Sequence, residues 1–244
     1  MSNIRKIQPE QEHIPYKAKR SVPSGRTLIL APHADDEIFG CGGAMIRCVQ
    51  QNDVVKTVIV TDSGYPVTDE QKNPDYPEIR KRESIAAAKI IGCEEPEFLD
   101  FHDRSLVLDK KLVNSIQSII ESSNPSNIYY PADSEIHPDH RILNKAVQEA
   151  LKNVTTKTVR YLISYEISAP LSPNYLHDIT DIAEILLSAM NCFKSQLKVQ
   201  DYRKKIMALN TYRTYTLPKE VLFAEAYAIQ SVNTNRLGIF RGRR

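Results

Sequence analysis

The chain has 244 residues, with 32 lysines and arginines against 30 aspartates and glutamates, a net charge of +2, and 41% hydrophobic residues. Charges of both signs are mixed throughout, which argues against a nucleic-acid binder, whose basic residues gather on one stripe, while the apolar content suffices for one α/β core. Cys41, Cys48, Cys93 and Cys192 form no CxxC pair, the first twenty residues are polar, and no apolar run approaches the ~20 residues that span a bilayer, so a cytoplasmic protein without an integral membrane segment is expected.

Residues 1–24, polar and with Pro9, Pro15 and Pro23, read as an arm laid on the surface; 25–232 read as a single domain and 233–244 as a basic tail. Strand and helix patterns then alternate. Arg26–Ala31 reads as a strand, Gly43–Gln51 as a helix and the β-branched Val54–Thr61 as a buried strand. Residues 62–76 form a long loop, and Pro77 suits the first turn of a helix burying Ile79, Ala86, Ala87 and Ile90, with Gly92 as its left-handed cap. Glu97–Phe101 is a short strand. Lys111–Glu121 has Leu112, Ile116, Ile119 and Ile120 at helical spacing. Asn127–Tyr130 is a strand, Pro138–Asn153 a helix with Ile142, Leu143, Ala146, Val147, Ala150 and Leu151 inward, and Val159–Ser164 a strand. Helices at 183–200 and 202–212 and a strand at 224–229 close the pattern. Such alternation implies right-handed crossovers and a doubly wound, mostly parallel sheet flanked by helices, with ligands at the carboxyl edge of its strands.

Two clusters fall at that edge. His33-Ala34-Asp35-Asp36-Glu37 follows the first strand, and His137-Pro138-Asp139-His140 follows the strand at 127–130. Each has a plain structural reading, as a helix N-terminus carrying acids that favour the macrodipole. Together they are harder to treat so. Two histidines and a carboxylate suffice to hold a metal with a coordination position left open, and a spare carboxylate and histidine remain to move protons. Gly40-Cys41-Gly42-Gly43 lacks the GxGxxG spacing of a dinucleotide loop and reads as close helix–sheet packing. His102 and His177 have no paired neighbour and read as structural or surface histidines.

These motifs resemble the PIG-L/LmbE-like deacetylases, zinc-dependent hydrolases of N-acetylated sugars, whose signature is an AHPDDE-type turn followed by a later HPDH. Thr61-Asp62-Ser63-Gly64, the helix from Arg80 to Gly92, Leu99-Asp100-Phe101-His102-Asp103 and Phe223-Ala224-Glu225-Ala226-Tyr227 extend the resemblance over residues 26–230. It implies His33, Asp36 and His140 as zinc ligands, Asp35 as general base, and His137, in its protonated form, as the group stabilising the oxyanion. Arg80 and Asp103 fall where members contact sugar hydroxyls, and Asp139 is expected to orient His137. Two departures are Ala34, where proline is usual and a looser turn is expected, and Leu186, about where many members carry a lysine that bears on substrate. The implied partner is an N-acetylated sugar or sugar conjugate, and a homo-oligomer is compatible with it. The ligand set also accepts iron or cobalt. Three other readings stand beside this one: an iron(II) oxygenase, against which Asp35 argues; a non-catalytic sugar-binding relative; and an amidase for another N-acyl substrate.

Overall fold

The computed structural model describes residues 13–66, 68–69 and 72–232. The basic tail and the first half of the N-terminal arm lie outside the described residues. The second half of the arm contributes β1 (Ala18–Lys19), which pairs in parallel with β7 (Tyr175–Asp178) and pins the arm to the sheet. Neither strand is legible in the sequence, because each is too short to show a period.

The central run of strands follows the expected alternation. It comprises β2 (Thr27–Ala31), β3 (Val55–Thr61), β4 (Glu97–Phe101), β5 (Asn127–Pro131) and β6 (Tyr161–Tyr165). With β8 (Ala224–Ser231) they build one eight-stranded sheet in the order β1-β7-β8-β6-β5-β2-β3-β4. All pairs are parallel except those of β8, which lies antiparallel between β6 and β7. Side chains alternate across the pleat. Leu28, Leu30, Ile128 and Tyr130 enter the core beneath α3 (Lys110–Ser123) and α4 (Pro138–Leu151), while Ile29, Tyr129 and Ile163 enter the core on the opposite face. That second face is covered by α1 (Asp36–Gln50) and α5 (Ala183–Met190), with α2 (Tyr76–Ile91), α6 (Lys194–Leu197) and α7 (Tyr202–Tyr212) around them.

The sequence misleads at three helices. The first begins at Asp36, not Gly43, so the acids form its first turn and the glycines lie inside it. It breaks at Cys41 (φ −150°, ψ 24°) and resumes with the amides of Gly43 and Ala44 donating to the buried Glu225 carboxylate at 2.7 and 2.9 Å. The glycines do serve close packing. A Cβ at Gly40 would lie 2.4 Å from Tyr165, and one at Gly43 2.6 Å from Ile179. In α2 the buried stripe is Tyr76, Arg80, Ser84, Ala87, Ala88 and Ile91, whereas Ile90 and Ala86 are exposed. The helix is turned away from its apolar stripe because Arg80 and Ser84 reach inward to carboxylates. The expected helix at 183–200 is two pieces, α5 and α6.

From β2 the chain steps to β3 on one side, while β5 flanks β2 on the other. This reversal opens a crevice beyond the carboxyl ends of β2 and β5, where ligands of doubly wound sheets bind.

Candidate active site

Residues 33–37 leave β2, residues 135–140 leave β5, and residues 102–106 leave β4, all at the same sheet edge. They surround a cavity of about 260 Å³. Its lining includes His33, Asp35, Asp36, Arg80, Asp103, His137 and His140, so of the expected site residues only Asp139 stands behind the wall.

Three atoms form a tight triangle: His33 Nδ1 and Asp36 Oδ2 are 2.9 Å apart, His140 Nε2 and Asp36 Oδ2 3.1 Å, and His140 Nε2 and His33 Nδ1 3.3 Å. Among the described residues, the ring nitrogens of His33, His137 and His140 also gather within 4.8 Å of one another, as do donor atoms of His33, Asp103, His137 and Asp139, so the cluster can hold a metal ion. Behind each imidazole of the triangle stands a carboxylate. His33 Nε2 lies 3.1 Å from Asp103 Oδ1 and 3.4 Å from Asp139 Oδ2; His140 Nδ1 lies 3.3 Å from Glu135 Oε2. Such partners fix a ring's orientation and which nitrogen it turns to a metal.

Electrostatics follow from this crowding. Burial opposes charge on every group, but the acids win for two histidines: His140 is raised to about 9 by Asp36 and Glu135, and His33 well above 6.5 by Asp103, Asp139 and Asp36. In return, and against burial, His140 and His33 hold Asp36 well below the carboxylate range. Burial raises Asp35 to about 7, with Arg80 opposing, and Glu37 to about 8, with Ser84 opposing. The three adjacent acids thus escape mutual repulsion by different means. Asp36 pairs with imidazoles. Asp35 Oδ2 meets Arg80 Nη2 at 3.0 Å. Glu37 accepts from Ser84 Oγ at 2.5 Å and from the Asp35 amide at 2.9 Å.

His137 departs from expectation. Burial, then the charges of His33 and His140, lower it to about 4, so it is neutral at physiological pH. The Asp139 backbone N–H donates to its Nδ1 at 3.2 Å. With Nδ1 accepting, the ring proton sits on Nε2, leaving a neutral N–H donor. The orienting group is therefore the Asp139 amide. Its carboxylate serves the neighbouring loop, accepting from the amides of Arg104 (2.7 Å) and Leu106 (3.4 Å), and faces His33.

The PIG-L model, described as GlcNAc-PI de-N-acetylase, matches residues 28–151, half of the chain. The chain belongs to the PIG-L family. It is 28% identical over 195 residues to a Bacillus cereus protein named "Probable N-acetyl-alpha-D-glucosaminyl L-malate deacetylase 2", covering 73% of this chain and 88% of that one. Among solved structures it resembles an N,N'-diacetylchitobiose deacetylase from Pyrococcus horikoshii, with a TM-score of 0.74, 22% identity and coverage of 84% and 83%. It also resembles a 4-carboxy-2-hydroxymuconate hydratase from Pseudomonas putida KT2440, with a TM-score of 0.71, 19% identity and coverage of 85% and 96%. The fold therefore hosts more than one chemistry, and the activity has to be argued from the site.

Both departures from the PIG-L pattern acquire a structural reading. Ala34 does not loosen its turn, because its backbone N–H, which proline lacks, donates to Ser63 Oγ at 2.8 Å. The turn carries strain instead, with Asp35 at φ 155°. Leu186 is fully buried, and a Cβ added at Gly42 would meet it at 2.6 Å, so it packs α1 rather than facing substrate. Glu135 was not foreseen. Its only signal is an acid two residues ahead of the HPDH, in a loop whose path the sequence does not reveal. No helix of the described residues is long and apolar enough to cross a membrane.

Proposed function

We propose that this PIG-L protein hydrolyses the acetamide of an N-acetylated amino sugar or sugar conjugate, with zinc held by His33, Asp36 and His140. The observation that carries the reading is the triangle of donor atoms at 2.9, 3.1 and 3.3 Å with Asp35 beside it. Ligands about 2.0–2.1 Å from zinc in a tetrahedron stand about 3.3 Å apart. The carboxylates behind both imidazoles support the same fit. The names of the relatives support an N-acetylated sugar as substrate. Four free cysteine thiols support a reducing, cytoplasmic setting.

Zinc bound here supplies a Lewis acid that polarises the amide carbonyl and makes water acidic. Asp35, raised to about 7, is matched to accept a proton at physiological pH. Arg80 Nη2 holds its Oδ2 and also donates to the Ala34 carbonyl at 2.6 Å, which fixes the turn carrying the base. Arg80 is thus foremost a positioning residue for Asp35, and any grip on a sugar hydroxyl is secondary. As water adds to the carbonyl carbon, its proton passes to Asp35. The carbonyl oxygen, now negative, accepts from His137 Nε2–H, a neutral donor whose strength needs no prior protonation. The C–N bond then breaks and the nitrogen takes the proton from Asp35, giving acetate and a free amine. Asp103, committed to His33 through Oδ1 and to the Tyr65 amide through Oδ2 (3.2 Å), helps set the ligand ring and borders the space for substrate.

The test is acetate release from N-acetylated sugars with and without added zinc, together with metal analysis of His140→Ala. Metal-dependent acetate release and a metal content near zero in the variant are expected. Full stoichiometry in His140→Ala would refute the ligand set.

A further inference from the structure

Among the described residues Arg80 and Arg104 are the two arginines of the cavity wall, and they differ in one respect. Arg80 is buried and spent on Asp35 and the Ala34 carbonyl. Arg104 is exposed; among the described residues no hydrogen bond or ion pair engages its side chain, and its guanidinium carbon lies over the Tyr65 ring, 4.7 Å from the centroid. The acids of the cavity are already engaged: Asp35 by Arg80, Asp36 by both ring nitrogens of the triangle, Asp103 by His33. The Arg104 backbone is held at φ 60°, its amide bonded to Asp139 while the Asp103 amide donates to Asp62 Oδ1 at 3.1 Å. The same short loop thus turns Asp103 toward His33 and Arg104 toward Tyr65. A guanidinium placed over an aromatic ring and bonded to no acid has its N–H donors left for a ligand, in the fork geometry that matches carboxylate or phosphate.

We propose that Arg104 selects N-acetylated amino sugars bearing an anionic substituent, a carboxylate or a phosphate, by pairing with that substituent at the cavity wall. This rests on the deacetylase reading and narrows its substrate class. Tyr65 holds the guanidinium in place, so less freedom is lost when the anion arrives.

The experiment uses the zinc-loaded full chain and four derivatives of N-acetylglucosamine: the neutral methyl glycoside, the 1-phosphate, the 6-phosphate, and an O-glycoside of a hydroxydicarboxylic acid. At least one anionic derivative is expected to exceed the methyl glycoside in kcat/KM, through a lower KM that rises with ionic strength. Which one does so identifies the source of the charge. Arg104→Asn should lower the ratio of anionic to neutral kcat/KM by about 10- to 100-fold, the worth of one charged hydrogen-bonded contact, and Arg104→Lys should restore part of it. Asparagine is chosen because it tolerates positive φ. A wild-type ratio near one, or a ratio unmoved in Arg104→Asn, would overturn the inference and leave the deacetylase reading intact. No acetate from any of the four would overturn both.

Discussion

Asp35 is buried against a guanidinium and two imidazoles, and burial prevails, raising it to about 7. Between its ordinary value of 3.8 and about 7 the folded protein holds a proton there that the unfolded chain has released, so Asp35 lowers stability as pH rises through that window. Asp35→Asn should therefore raise the Tm of the metal-free protein more at pH 8 than at pH 4. An equal shift at both would refute the burial assignment. The same variant, with metal retained, should lose roughly 10²–10⁴ in kcat, because shape is kept and the proton acceptor is gone. In the wild type, kcat/KM should fall as pH drops through about 7 or somewhat below, since a cation in the neighbouring cluster favours the carboxylate. His137, whose Nδ1 accepts from the Asp139 amide and so leaves a neutral ring, should contribute no basic limb. The acids and histidines of the two motifs were legible because they sit where strands end. What Arg80, Asp103 and Glu135 attach to was not, since each partner is reached through a loop or another helix.

Helix α1 shows how one element serves both packing and chemistry. Its first turn carries the acids, and its second segment begins on the Glu225 carboxylate, itself bonded to Tyr227 Oη at 2.5 Å and 3.3 Å from His177 Nδ1. His177 is thus a structural histidine, as its isolation in the sequence suggested. Gly43 leaves room for that carboxylate. Gly43→Ala would place a methyl 2.6 Å from Ile179 and 2.7 Å from Glu225 Oε2, and overpacking of this kind typically costs about 1–3 kcal/mol. A lower denaturant midpoint at unchanged slope is expected, and a midpoint equal to wild type would mean that the helix shifts freely. The glycines signalled contact in the sequence, but the break at Cys41 did not. It is tied to the Glu225 carboxylate, which meets the Gly43 amide from 182 positions away. The period of α2 misled for a related reason: its inner face is partly polar, and apolar spacing follows the core, not the site.

At the scale of the molecule, the strand order makes the site, because the reversal at β2 brings two motifs a hundred residues apart into one crevice. That much was legible from the alternation of strands and helices. The antiparallel β8 and the edge beyond it were not, since no local pattern specifies where a closing strand inserts. The assembled cluster has a consequence for the whole protein. Without metal, His140 is raised to about 9 and His33 well above 6.5, so both are charged at neutral pH and bonded to Asp36. Their contribution to metal-free stability is complete below about 6.5 and is lost as pH rises through about 9. A metal must find these rings neutral, so binding it releases their protons and tightens as pH rises. Since metal binds the folded chain and stabilises it by mass action, the gain in Tm from zinc should widen steadily from pH 6 to pH 9. Calorimetric titrations in two buffers of different ionisation enthalpy should report between one and two protons released per zinc at pH 7. A release of zero, or a zinc-induced Tm gain independent of pH, would mean that these histidines are already neutral in the metal-free protein and that the acids around them do not hold their charge.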